Sequence, residues 1–181
     1  MTTAAQDAQL LARVVSGDHE AFSQIMKNHE DRVFSVCLRI MGNREQALDA
    51  TQDTFLTAFR KAEQFKGNSA LGTWIYRIAV NTCYDQLRRQ NRRRTDPIPE
   101  HLDPIDYSAE EEVDSAALRP EIAQALAAIP PDFRAAVVLS DIEGIGLPEV
   151  AVILGVPVGT VKSRVFRGRR LLAEELGNQT V

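Results

Sequence analysis

Apolar residues recur at spacings of three and four along most of the chain, which is the period of one helix face. From Ala21 to Met41 the stripe is Phe22, Ile25, Met26, His29, Val33, Val36, Cys37 and Ile40. Gly42-Asn43 punctuates it, as a helix-ending glycine would. A second helix is predicted from Arg44 to Lys61, with Ala47, Ala50, Thr51, Thr54, Phe55, Ala58 and Phe59 on one side. Gly67-Asn68-Ser69 reads as a loop. A long helix follows from Leu71 to Arg92, its apolar face formed by Leu71, Trp74, Ile75, Ile78, Ala79, Thr82 and Cys83. Leu10, Leu11, Val14 and Val15 predict a short helix before all of these. About 85 residues of this kind suffice for a small helical domain.

The pattern breaks after Arg94. Between Thr95 and Ser115 lie Pro97, Pro99 and Pro104 and a run of acids. So long a stretch without periodicity reads as a linker rather than a loop inside a compact domain. Periodicity then resumes, with helices predicted over Ala116–Ala128 and Asp132–Asp141 and two more beyond. No segment alternates convincingly with the two-residue period of a strand, and no internal repeat is found. The fold class expected is therefore all-α, with two small helical domains joined by an acidic flexible linker. The boundaries are residues 1–94, 95–115 and 116–181.

The end of the second domain has a specific form. Leu147, Val150, Ala151 and Leu154 share one face of a short helix, and Gly155 permits the left-handed turn that stops it. Val156-Pro157 restarts the chain, since proline is tolerated at a helix start. Val161, Val165 and Leu172 then point inward along a second helix. This is a helix-turn-helix pattern. Its second helix would expose Thr160, Lys162, Ser163, Arg164 and Arg167, side chains able to reach phosphates and base edges in a major groove. Gly146 stands at the cap of the first helix, where it is serviceable but weaker than serine or threonine. Pro148 costs little in a first turn. Gly168 should cost about 1 kcal/mol relative to alanine in a helix interior.

Composition changes this picture mainly through charge. The chain is 44% hydrophobic, enough to build cores, and its net charge is −4. That net value hides a segregation. Six arginines and one acid, Asp85, lie between Arg77 and Arg94. Asp96, Glu100, Asp103, Asp106, Glu110, Glu111, Glu112 and Asp114 follow without a single Lys or Arg before Arg119. Lys162, Arg164, Arg167, Arg169 and Arg170 then form a second basic cluster with no acid. Two basic surfaces on a nominally acidic protein point to phosphate as a partner. The acidic strip is a candidate to compete with nucleic acid for them, or to serve only as a solvated spacer.

Other chemistries lack their residues. No catalytic Ser/His/Asp or Cys/His arrangement, phosphate-cradling glycine loop or metal-ligand spacing is present, so no enzyme activity, cofactor or small-molecule substrate is expected. Cys37 and Cys83 fall on apolar faces and read as buried free thiols in a reducing compartment, with a disulfide or redox switch as the alternative. Met1 to Asp18 has no basic start and apolar core of a secretory signal. No apolar run approaches the roughly 20 residues that span a bilayer. A cytoplasmic location is expected.

Two separated motifs carry a resemblance. One is Glu143-Gly144 followed by the run from Leu147 to Arg164. The other is Asp49-Ala50-Thr51-Gln52-Asp53-Thr54-Phe55-Leu56, then Phe65-Lys66-Gly67, then the run from Thr73 to Thr82. Together, in this order and with a linker between them, they resemble the extracytoplasmic-function sigma factors of the sigma-70 superfamily, over about Leu10 to Leu176. The resemblance implies an alternative sigma factor that binds core RNA polymerase and promoter DNA and is held by an anti-sigma factor. It implies that Asp49, Gln52, Asp53 and Phe55 bind polymerase. Gly67, Asn68, Ser69, Trp74, Asn81, Arg88 and Arg89 would serve the −10 element, with Arg92 and Arg93 on backbone phosphates and Asn81 beside a flipped base. Thr160, Lys162, Ser163, Arg164 and Arg167 would read the −35 element. In that family the linker would thread the polymerase channel later occupied by nucleic acid. The alternative is a stand-alone helix-turn-helix regulator, which would leave the Asp49-to-Asn81 constellation without a role.

Overall fold

The computed structural model describes residues 3–95 and 118–178, all helix, turn and loop, with no strand among them. The predicted linker, residues 95–115, falls almost wholly outside the described residues, as do Ala116 and Ala117. The N-terminal half contains α1 (Thr3–Val15), α2 (His19–Met41), α3 (Arg44–Arg60), a 3-10 turn (Ala62–Gln64) and α4 (Leu71–Thr95). The C-terminal half contains α5 (Pro120–Ala128), α6 (Pro131–Val137) running into a π-helical turn (Val138–Ile142), α7 (Leu147–Leu154) and α8 (Val158–Asn178).

Caps fix the helix ends. Asp18 caps α2, its carboxylate accepting from Glu20 N at 3.0 Å and Ala21 N at 3.1 Å. This starts α2 at His19, two residues before the apolar stripe that predicted Ala21. Arg13 also binds this carboxylate at 2.7 Å and holds its pKa below the usual carboxylate range. Asn43 caps α3 through Gln46 N at 2.9 Å; losing such a cap costs about 1 kcal/mol. Pro120 and Pro131 each open a helix in its first turn, where the missing N–H has no partner to lose. The helix predicted over Asp132–Asp141 widens at Val138 into a π turn, with Glu143 N reaching back to Val138 O at 2.9 Å.

The N-terminal core lies where α2, α3 and α4 meet. Ile25, Val33, Val36, Ile40, Ala47, Ala50, Phe55, Ile75 and Ala79 are buried there. A large aliphatic side chain fully buried in this way stabilises by roughly 1.5–3 kcal/mol over an exposed one. Cys37 and Cys83 are both buried and unbridged. The neighbouring Cys37 thiol, with burial adding to it, raises the pKa of Cys83.

Helix α4 is buried on two faces, where its sequence pattern showed one. Leu71, Ile75, Ala79 and Cys83 pack inward as expected, but Thr73, Tyr76 and Val80 are buried too. These three, with Tyr84, lie on a second stripe at spacings of three and four, and the C-terminal half covers it. Thr73 Oγ1 donates to Glu149 Oε1. Tyr76 lies in the field of Glu143 and Glu149, and burial is the main reason its hydroxyl titrates above the usual tyrosine value. Burial is also the main reason the Tyr84 hydroxyl titrates above the usual tyrosine value, with the charge of Asp132 adding to the rise and that of Arg164 opposing it. At the end of α2, Arg39 pairs with Glu143, and Arg134 donates to the Ile40 carbonyl. The two halves expected as separate domains therefore share a continuous buried core.

Candidate nucleic-acid and polymerase interface

Three exposed surfaces carry the residues singled out by sequence. The first is the outer side of α3. Asp49, Gln52 and Asp53 are exposed there, beside the exposed apolar side chains Leu48 and Leu56. Phe55, expected on the same surface, faces inward at 3% exposure and meets Phe22 edge-on at 6.5 Å. Phe55 thus supports the face from beneath. Phe59 lies at the rim, with Phe22 at 5.0 Å and His19 at 5.6 Å. Asp53 Oδ2 accepts from Gln86 Nε2 on α4 at 3.3 Å, so the outer edges of α3 and α4 touch.

The second surface runs along α4. Trp74, Arg77, Asn81, Asp85, Arg88 and Arg92 fall at spacings of three and four, on a third side of the helix away from both buried stripes. Arg77, Asn81, Arg88, Arg89, Arg92 and Arg93 are exposed. Arg88 is turned toward Asp85 in an exposed pair, which contributes little. The loop before α4 exposes Gly67 and Asn68 and half-buries Ser69. Phe65 lies over Trp74 with ring centroids 5.3 Å apart, so Trp74 is a packed wall of this loop with one side in solvent. Loop, Trp74 and Asn81 thus follow one another toward an arginine-rich helix end. Such a surface offers hydrogen bonds and a ring face to an unstacked base and cations to the backbone.

The third surface is α8. Gly155 closes α7 at φ 65°, its N–H on Ala151 O, as its sequence position predicted; a side chain there would be strained. The turn delivers α8 with Lys162, Ser163 and Arg167 exposed and Thr160 half-buried. Arg164 differs from them. Its guanidinium binds Asp132 at 2.7 Å and its side chain is 20% exposed. Arg169 binds Asp141 through two bonds of 2.7 Å, which lower the Asp141 pKa. These two arginines tie α8 to the rest of the C-terminal half. Sequence reasoning missed Phe166. It is 70% exposed, the most exposed large apolar side chain described, and lies between Lys162 and Arg170 at spacings of four. An aromatic flanked in this way by cations on one helix face is the signal that could have found it. Apolar side chains on such a helix can contact a thymine methyl.

Gly168 is the other correction. It is buried, and a Cβ there would stand 2.6 Å from Val137 Cγ2 and 3.1 Å from the Phe133 carbonyl oxygen. The helices α6 and α8 approach too closely for alanine, so the expected helix weakness is a packing requirement.

Among the described residues no group of His, Cys, Asp and Glu could hold a metal ion, and no helix is long and apolar enough to cross a membrane.

Residues 25–93 match the family Sigma-70 region 2, and residues 119–172 match Sigma-70, region 4. The chain is 39% identical over 171 residues to the ECF RNA polymerase sigma factor SigM of Mycobacterium tuberculosis, covering 94% of this chain and 85% of the relative. It is 33% identical to the RNA polymerase sigma-H factor of Pseudomonas aeruginosa, covering 97% and 96%. It is 37% identical to the ECF sigma factor SigE of Mycolicibacterium smegmatis, covering 91% of this chain and 66% of that longer protein. Among solved structures, the sigma factor RpoE in complex with the anti-sigma factor NepR from Bartonella quintana superposes at TM-score 0.69 and 27% identity, covering 86% of this chain and 96% of that one. CnrH in complex with the cytosolic domain of CnrY superposes at 0.67 and 24% identity, covering 96% and 98%, a likeness of fold.

Proposed function

The chain belongs to the sigma-70 family, in its extracytoplasmic-function group, and on that premise we propose that it binds core RNA polymerase and directs it to promoters bearing particular −10 and −35 elements. The observation that carries the reading is α8. It presents Lys162, Ser163, Phe166 and Arg167 on an exposed surface behind a glycine-closed turn. Lys162 and Arg167 supply charge to phosphates and base edges, and Phe166 supplies an apolar contact. Arg164 positions the helix through Asp132.

The −10 element falls to the loop Gly67, Asn68 and Ser69, the side of Trp74 left open by Phe65, and Asn81, Arg88 and Arg89. Asn81 reads a base edge; the arginines hold the strand. The polar face Asp49, Gln52 and Asp53, with Leu48 and Leu56, docks on polymerase. The protein contributes binding and strand separation rather than a bond-making step. Its place of action is the cytoplasm, and an anti-sigma factor holds it when it is not needed. The test is capture of core polymerase by the full chain. Asp49→Ala, Gln52→Ala and Asp53→Ala together should weaken capture at unchanged helicity. Undiminished capture would remove the docking assignment.

A further inference from the structure

One residue of the α2 stripe differs in kind from its neighbours. His29 stands among Ile25, Met26 and Val33 on the face that builds the N-terminal core, and its side chain is 15% exposed. Its Nε2 lies 3.1 Å from Asp7 Oδ2 on α1, where the Asp7 side chain is 6% exposed. An ionised carboxylate only accepts, so Nε2 carries the proton and donates. The other carboxylate oxygen, Oδ1, is buried and has no hydrogen-bond partner among the described residues. A buried charge is costly unless paired, so the Asp7 carboxylate depends on His29, and α1 is tied to α2 at this point.

The same ring faces α4. Gly72, in the first turn of that helix, has no side chain, and a Cβ there would stand 3.4 Å from His29 Cε1 and 3.6 Å from Nδ1. These are ordinary contact distances, so the ring stands one methyl's width from the Gly72 backbone. Helix α1 itself lies against both the 3-10 turn and α4, the two anchors of the loop that carries Gly67, Asn68 and Ser69. Leu11 and Val14 of α1 share one buried cluster with Ala62 before the loop and Leu71 after it. The turn that holds Gly72 also holds Trp74, whose N–H donates to Ala70 O at 3.2 Å and whose ring lies beside Phe65. Asp7 and His29 thus stand behind both ends of the loop.

We propose that His29, held in place by Asp7, is a positioning residue for the −10 loop: its ring sets the first turn of α4 and with it the arrangement of Gly67, Asn68, Ser69 and Trp74. The inference rests on the role given to that loop above. His29 is not itself a DNA contact. It acts through Gly72, as buried supporting side chains fix the geometry of the groups that bind. His29→Ala takes away the ring and strands the Asp7 carboxylate, so the turn loses its backing and α1 its tie. Asp7→Leu with His29→Phe keeps a ring against Gly72 and removes both polar partners together, which proteins tolerate far better than the loss of one.

Trp74 is the chain's single tryptophan, so its fluorescence reports the loop directly in the full chain. The experiment is acrylamide quenching of Trp74, with strand choice measured in parallel. For the latter, holoenzyme reconstituted with core polymerase captures single-stranded DNA from a randomised pool, and enrichment of the preferred sequence is counted. His29→Ala should raise the quenching of Trp74 and lower that enrichment about tenfold, the scale of one lost base contact, while capture of core polymerase stays at the wild-type level. The apolar pair should restore both properties. Leu126→Ala, which opens a cavity in the separate cluster of the C-terminal half, should lower the melting temperature and change neither. If His29→Ala does not fold, Gly72→Leu displaces the ring from the α4 side and should give the same two changes. Unchanged quenching, unchanged enrichment, a loss of strand choice that Leu126→Ala reproduces, or an apolar pair that restores neither property would overturn the proposal. A wild-type holoenzyme that enriches no sequence defeats the role given to the loop instead, and the quenching alone still decides whether His29 sets the turn.

Discussion

Replacing Gly168 with alanine sets two effects of known size against each other. In an exposed helix interior the change would stabilise by about 1 kcal/mol, because glycine loses more backbone freedom on folding. At this site the new Cβ would stand 2.6 Å from Val137 Cγ2 and 3.1 Å from a backbone oxygen of Phe133. Val137 cannot turn away easily, since a β-branched side chain in a helix is confined to essentially one rotamer. Phe133 O belongs to the α6 backbone. Relief therefore requires α8 to move off α6, an overpacking that costs typically 1–3 kcal/mol or more. A Cβ this close to a confined side chain and a backbone oxygen belongs in the upper part of that range, about 2–3 kcal/mol, so the net expectation is a destabilisation of about 1–2 kcal/mol. For a urea slope of about 2 kcal/mol per molar, the unfolding midpoint falls by roughly 0.5–1 M. Circular dichroism through a urea titration of the full chain measures it. A midpoint unchanged or raised would show that the close approach of α6 and α8 is not as described.

Three other outcomes follow from named contacts. Arg167→Ala should lower affinity for −35 DNA by about 1–3 kcal/mol if it reaches a base edge, whereas Arg164→Ala should chiefly lower the melting temperature by releasing Asp132; equal DNA losses at equal stability would refute the division. Asn81→Ala should leave polymerase capture intact and reduce permanganate-reactive thymines in the promoter bubble; normal opening would make Asn81 structural only. Asp141 has a folded pKa below its ordinary 3.8, chiefly through the hydrogen bond from Arg169, so its contribution is complete above that value and is lost as pH falls through the lower folded one. Asp141→Asn should therefore lower the melting temperature slightly at neutral pH, the gain being screened at an exposed site, and by progressively less as pH falls below 3.8; a larger loss in acid would contradict the assignment.

Helix periods and punctuation were legible because they are local. Gly155 closes α7 as its position between two apolar stripes implied, and α3 begins at Arg44 behind an asparagine cap. Helix α2 starts at His19 rather than at the predicted Ala21, because its cap, Asp18, lies ahead of the apolar stripe that marks the helix in the sequence. The π turn at Val138 leaves no mark in periodicity, since Val138 and Leu139 are apolar in either geometry. Partners distant in sequence were not legible. Arg39 and Glu143 are 104 residues apart, and each alone reads as a solvated charge. Thr73, Tyr76 and Val80 look like the back of an amphipathic helix until the second half covers them. Gly168 shows the same limit: propensity is a property of one helix, and the clash belongs to two. Phe166 was passed over because an aromatic at helical spacing ordinarily packs inward, and only its 70% exposure shows that this one does not.

The central claim is that this chain confers promoter choice on polymerase. Run-off transcription by core polymerase, with and without the full chain, on duplexes randomised at the −35 and −10 positions tests it most directly. Transcripts that require the chain, start at discrete positions, share sequence at both elements and disappear with Arg167→Ala are the predicted result. Specific binding of the chain to duplex DNA without polymerase, and no chain-dependent transcript with it, would contradict the account.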